Sequence, residues 1–149
     1  MIAIVLLAGA CSQGTGNRSN ESTSAGTATD GNSSSEQFCF LKVEGQKNQD
    51  STQVTLILRG DTVEGKMIWL PAEKDARRGT IKGTRKDNII TAIWSFMQEG
   101  SHDSLPLQFK LKGDTLLQKE FAVDPATGRQ IIRRDAAYKD KLLRVDCRP

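Results

Sequence analysis

Three consecutive residues, Ser101-His102-Asp103, carry the side chains of a nucleophilic triad, and His102 is the only histidine in the chain. A working triad brings its members together from separate parts of a fold, with the base between nucleophile and carboxylate. Neighbours in sequence cannot take up that geometry, so the run is read as part of a polar connection, MQEGSHDS at 97–104. Glu99, Asp103 and Asp124 are too dispersed for a calcium loop, and no glycine-rich phosphate loop occurs. One histidine offers little to a structural zinc site. The expectation is a protein that is not an enzyme and uses neither metal nor cofactor. A further motif, Arg59-Gly60-Asp61, has the composition of an adhesion tripeptide, and its meaning depends on the elements that hold it.

The cysteines are more informative. Cys11 follows MIAIVLLAGA, ten residues that are all apolar or small. That run is too short to cross a bilayer as a helix, which takes ~20 residues. It reads as the end of a secretory signal. "LAGAC" resembles the lipobox of bacterial lipoproteins, which implies cleavage before Cys11 and lipidation of its thiol. No Lys or Arg precedes the apolar run, so the expected translation start lies upstream of Met1. With Cys11 lipidated, Cys39 and Cys147 remain, and an odd count in an exported protein is accounted for. They stand near the two ends of the structured segment, where an oxidising compartment lets them pair. A Cys39–Cys147 disulfide is therefore predicted.

Between the anchor and the first strand, residues 12–36 contain 18 Ser, Gly, Thr or Asn among 25 and no large apolar side chain. Such a segment cannot bury enough surface to offset its ordering entropy. It is read as a tether with a reach of ~25–30 Å. Asn-x-Ser triplets at Asn17, Asn20 and Asn32 fall in or at the end of it and are incidental in a bacterial chain. The expected division is 1–10 signal peptide, 11–36 lipidated cysteine and tether, and 37–149 folded domain. Formal net charge is +3 over the whole chain. The charges are mixed along the domain, which suits solubility, and no basic stripe interleaves with stacking aromatics to mark nucleic-acid binding.

From Gln37 onward the chain alternates apolar and polar residues with a period of two, and no helical period is sustained. Val54, Leu56 and Leu58 share a face, then Val63, Gly65, Met67 and Trp69 share another. Gly60-Asp61 sits at the switch, where Gly accepts positive φ and Asp bonds its own backbone. The device recurs at Asp87-Asn88, before Ile90, Ala92, Trp94 and Phe96, and at Gly113-Asp114, after Leu107, Phe109 and Leu111. What all three share is turn geometry, so the adhesion tripeptide is read as a turn. PAEKDARRG at 71–79 is taken as a polar loop, DPATGR at 124–129 as a turn, and RRDAAYKDK at 133–141 as room for one helical turn. Pro106, lacking an amide donor, belongs at a strand start or edge. Cys39, Leu41 and Val43 share a face of the first strand, and Leu143, Val145 and Cys147 share one of the last. Those strands are expected side by side. The fold class is then all-β: an antiparallel up-and-down meander of eight or nine strands closing into a small lipocalin-like barrel. A β-sandwich is the alternative.

The runs GTIKGTRKDNIITAIWSFMQEG, FKLKGDTLLQ and LLRVDC resemble segments of small β-rich lipoproteins of Bacteroidota, a group to which no activity is attached. The resemblance covers 38–122 and 142–147. Asp61-Thr62-Val63, Asp103-Ser104-Leu105 and Asp114-Thr115-Leu116 also match an O-glycosylation triplet of those bacteria, and turn chemistry explains them equally well. Trp69, Trp94, Phe96, Phe109 and Leu111 are placed inside the barrel, as core or as the lining of a pocket at one mouth. The functional expectation is a non-enzymatic envelope protein, lipid-anchored to a membrane, that binds a small apolar ligand or a protein partner at that mouth. The other reading is a structural or interaction lipoprotein with a filled barrel. Ser12, in place of a retaining aspartate, favours the outer membrane.

Overall fold

The computed structural model describes residues 34–148. Cys11, the apolar run before it and nearly all of the tether lie outside the described residues, as does the signal-peptide assignment.

Ten strands follow in order: β1 (Glu36–Glu44), β2 (Asp50–Arg59), β3 (Thr62–Leu70), β4 (Arg77–Lys86), β5 (Ile89–Gln98), β6 (Ser101–Lys112), β7 (Thr115–Lys119), β8 (Phe121–Val123), β9 (Gln130–Ile132) and β10 (Tyr138–Val145). Eight of them close into an antiparallel barrel in the order β1-β10-β7-β6-β5-β4-β3-β2, and β8 and β9 form a separate hairpin. No helix occurs among the described residues, and the closed ring excludes the sandwich.

The alternation of side chains explains the closure. Val54, Leu56 and Leu58 on β2, Ile81 on β4, Ile90 and Trp94 on β5 and Phe109 on β6 are all buried. The outward rows of β2 to β6 carry Gln53, Thr55, Glu64, Lys66, Lys82, Thr91 and Lys110. The barrel is thus mainly apolar inside and mainly polar outside, with Ile93, Met97 and Leu143 as outward exceptions, the reverse of the pattern of a membrane-spanning barrel. Each buried aliphatic side chain contributes ~1.5–3 kcal/mol relative to exposure, and closing the sheet removes the free edges an open meander would leave.

Three tight hairpins lie at one end. Arg59 pairs with Thr62 across Gly60-Asp61, Lys86 with Ile89 across Asp87-Asn88, and Lys112 with Thr115 across Gly113-Asp114. The first turn residue has positive φ in each: 58° at Gly60, 55° at Asp87 and 56° at Gly113. The carbonyl of the second accepts an amide from the next strand round: Arg85 N to Asp61 O, Leu111 N to Asn88 O and Arg144 N to Asp114 O, each 2.8 Å. Arg59-Gly60-Asp61 is accordingly one of three equivalent turns stitched into the barrel end.

The seam between first and last strands is where the sequence placed it. Cys39 pairs with Val145 and Leu41 with Leu143, and Cys39 is disulfide-bonded to Cys147 with Cα atoms 5.2 Å apart. The Cys39–Leu41–Val43 face points outward. Phe40 and Leu142, both 1% exposed, are the residues that fill the interior.

Several boundaries differ from expectation. β4 begins at Arg77, so the polar loop shortens to 71–76, and β5 and β6 run on to a two-residue turn at Glu99-Gly100. Charged and polar residues continue a strand wherever a neighbouring strand still offers a ladder, as β3 does to Arg77 and β5 to Ser101–Ser104, which composition alone does not reveal. The helical turn expected at 133–141 is absent. Arg133 to Ala136 form a turn closed by Ala136 N to Arg133 O at 3.2 Å, and Tyr138 already belongs to β10. Pro106 lies inside β6, opposite Ile93. The β7 ladder reaches only Phe109, so residues 101–108 have a strand partner on one side alone. There the missing N–H is tolerated as on an edge strand.

Candidate functional site

The two ends of the barrel are filled differently. Toward the three tight turns the interior is packed with Phe40, Leu56, Leu58, Ile90, Phe109 and Leu116, all nearly inaccessible. Toward the other end a cavity of about 830 Å³ opens, lined by residues of β1 to β7, β10 and the β8–β9 hairpin. Its aromatic part comes from Trp69, Trp94, Phe96 and Phe121. Trp94 and Phe96 pack with ring centroids 4.4 Å apart and planes tilted by 38°. The Trp94 indole Nε1 donates to the Met67 carbonyl at 3.2 Å, which removes its only polar group from the cavity.

Glycines on β4 let the backbone of β5 approach closely. Gly79 pairs with Met67 on one side and Phe96 on the other. A Cβ there would run into the backbone of Ser95 and Phe96, and one at Gly83 into Thr91 and Ala92. The close strand approach on β4 therefore requires residues without side chains.

The inward row of β4 runs from Ile81 through Gly79 to Arg77, and delivers the Arg77 guanidinium to the mouth. It lies between two rings, with Cζ 5.2 Å from the Trp69 centroid and 5.0 Å from that of Phe96. Its Nε donates to Gln98 Oε1 at 2.7 Å and Nη1 to Gln130 Oε1 at 3.0 Å. Because Gln130 belongs to β9, the second bond ties the β8–β9 hairpin to β4. Arg129 Nη2 ties the same hairpin to β6 through Asp103 at 3.0 Å. The hairpin thus bridges part of the mouth. Its turn is set by Asp124, whose carboxylate accepts from Thr127 Oγ1 and Ala126 N. Those bonds hold the Asp124 carboxyl below the usual carboxylate range.

The β1–β10 side of the cavity is polar. Lys42 Nζ contacts Glu44 at 2.8 Å and Asp140 at 2.9 Å. Burial pulls the Lys42 ammonium down, and the bonds and charges of Glu44 and Asp140 outweigh it, leaving it above its ordinary value. Thr52 and Gln118, 7% and 5% exposed, also line the cavity, and neither side chain bonds to another described residue. Outside the cavity lining, Asp75 pushes the Glu99 carboxyl up, through a hydrogen bond that a proton on one of the two carboxyls allows and through its charge.

Of the five aromatic and aliphatic residues singled out from sequence, Trp69, Trp94 and Phe96 line the cavity. Phe109 lies in the packed half, and Leu111 is half-buried against the same core. Ser101, His102 and Asp103 open β6, where successive side chains point to opposite faces, so the three do not converge. Sequence reasoning missed Arg77, Gln98, Gln130 and the Lys42–Asp140 pair. The period of two, continued back from Ile81 across Gly79, marks Arg77 as inward. Compared with protein-family models, curated proteins and solved structures, the chain matches none.

Proposed function

We propose that this is a non-enzymatic protein of a bacterial envelope, lipid-anchored and with the outer membrane favoured, that binds one small apolar molecule, rather than a protein partner, in the mouth of its barrel. The observation that carries the reading is the cavity. About 830 Å³ falls within the ~300–1,000 Å³ of small-molecule sites, and the lining joins an aromatic floor to a polar wall, which suits a molecule with an apolar body. A filled barrel would favour an interaction protein instead. The LAGAC motif supports the anchor, and the Ser-, Gly- and Thr-rich tether would hold the barrel clear of the lipid surface. Native mass spectrometry of protein extracted from its own envelope tests both parts. The expected spectrum has a diacylglyceryl mass that Cys11→Ser abolishes, and a second, non-covalent mass at one per chain. A bare polypeptide mass would refute the anchor, and the absence of any retained small molecule would refute the binding role.

A further inference from the structure

We infer that the molecule bound in the mouth is an amphipathic organic anion, its apolar body on the aromatic floor and its negative group on Arg77. The inference rests on the small-molecule reading above and specifies its chemistry. The cavity is lined by four cations, Lys42, Lys74, Arg77 and Arg129, and three acids, Glu44, Asp103 and Asp140. Every lining acid contacts a cation: Glu44 and Asp140 share Lys42, and Asp103 holds Arg129, which leaves Lys74 and Arg77, and of these two only Arg77 is held in place by side-chain hydrogen bonds. Arg77 forms no ion pair with any described carboxylate. It is held by two neutral amide oxygens, Gln98 and Gln130, which fix its plane without cancelling its charge. Those bonds engage two of the five N–H groups of a guanidinium, so donors remain for an incoming oxygen pair. The flanking Trp69 and Phe96 rings restrict the motion of the cation and shield it from water, which strengthens its attraction for an anion. On the opposite wall the Gln118 amide offers a second polar contact inside the cavity.

Two fluorescent probes with the same aromatic body separate the possibilities. N-phenyl-1-naphthylamine is neutral, and 8-anilinonaphthalene-1-sulfonate adds one sulfonate. Both are titrated into the full chain at low and high salt, with quenching of Trp69 and Trp94 as a parallel signal. The sulfonate is expected to bind with one-to-one stoichiometry and roughly ten-fold or more tighter than the neutral probe, the scale of one charge-assisted hydrogen bond. Arg77→Met should erase that preference and leave the neutral probe unchanged. Gln130→Glu, which supplies Arg77 with an internal carboxylate, should erase it as well without removing the arginine. Equal affinity of the two probes for the wild-type chain, or a preference that survives both substitutions, would overturn the anion assignment while the apolar-ligand reading stands. Failure of both probes to bind would overturn both.

Discussion

Removing the Cys39–Cys147 bridge should cost this barrel as much as truncating a large core side chain, although the cysteines lie on its outer face. The β1–β10 seam is held by three registered pairs, whereas β1 and β2 share nine. The bridge fastens its outer face, and the Lys42–Asp140 contact fastens its inner face. The cysteines are 108 residues apart. Cross-linking a loop of that length lowers unfolded-chain entropy by an amount worth ~4.8 kcal/mol in the chain-entropy model, and native bridges typically contribute ~2–5 kcal/mol. For a domain of this size each kcal/mol moves the midpoint by roughly 3–6 °C, so a Cys39→Ser/Cys147→Ser variant should melt ~10–25 °C lower. Urea unfolding followed by tryptophan fluorescence measures the loss directly, with the slope showing whether the unfolded state has expanded. Amide exchange should rise first in β1 and β10, because the seam is where local opening needs fewest contacts. A loss below ~1 kcal/mol, or exchange that rises uniformly, would refute the claim that the bridge closes the ring.

Other residues give independent tests. Gly79→Ala places a methyl against the Ser95 and Phe96 backbone and should cost ~1–3 kcal/mol by urea unfolding; a neutral result would mean the strands part easily there. Asp87→Gly should be neutral or stabilise by up to ~1 kcal/mol, since it places Gly at positive φ, whereas Gly60→Val should cost ~1–2 kcal/mol; matching effects at the two turns would contradict their equivalence. The depressed Asp124 carboxyl stabilises the β8–β9 turn above the unfolded carboxylate pKa, and that contribution disappears as pH falls through the lower folded value. Glu99 has the opposite sign: its raised folded pKa favours the native state at low pH, and the advantage is lost as pH rises through that value. Carboxyl NMR titration should place Asp124 below and Glu99 above the ordinary range, and a reversed order would be contrary evidence.

The barrel was legible because its clearest signals are local. Alternation at 54–58 and 90–96, and a Gly or Asp at the start of each of the three tight turns, define strands and hairpins without tertiary information. Pairing of the first and last strands followed from matched alternation and two cysteines. Which face of β1 points inward did not, because Phe38 and Phe40 on one row compete with Leu41 and Val43 on the other. Only the barrel's curvature decides between them. Arg77 was hidden for a related reason: the cluster Lys74, Asp75, Arg77, Arg78 reads as a loop until the β3 ladder draws Arg77 and Arg78 into a strand. The cavity is the least local feature. It depends on the close approach of β5 that Gly79 permits beside Phe96 and on how short β7 is beside β6, and no window of sequence encodes either.

The central claim is that the barrel is solid at its tight-turn end and receptive at the other. Nuclear Overhauser contacts between bound N-phenyl-1-naphthylamine and the protein locate the molecule directly. The account expects contacts to Trp69, Trp94, Phe96 and Phe121 and none to the packed Leu56, Ile90 or Leu116. Contacts confined to outward-facing Ile93, Met97 or Leu143, or no contacts from a saturated sample, would contradict it.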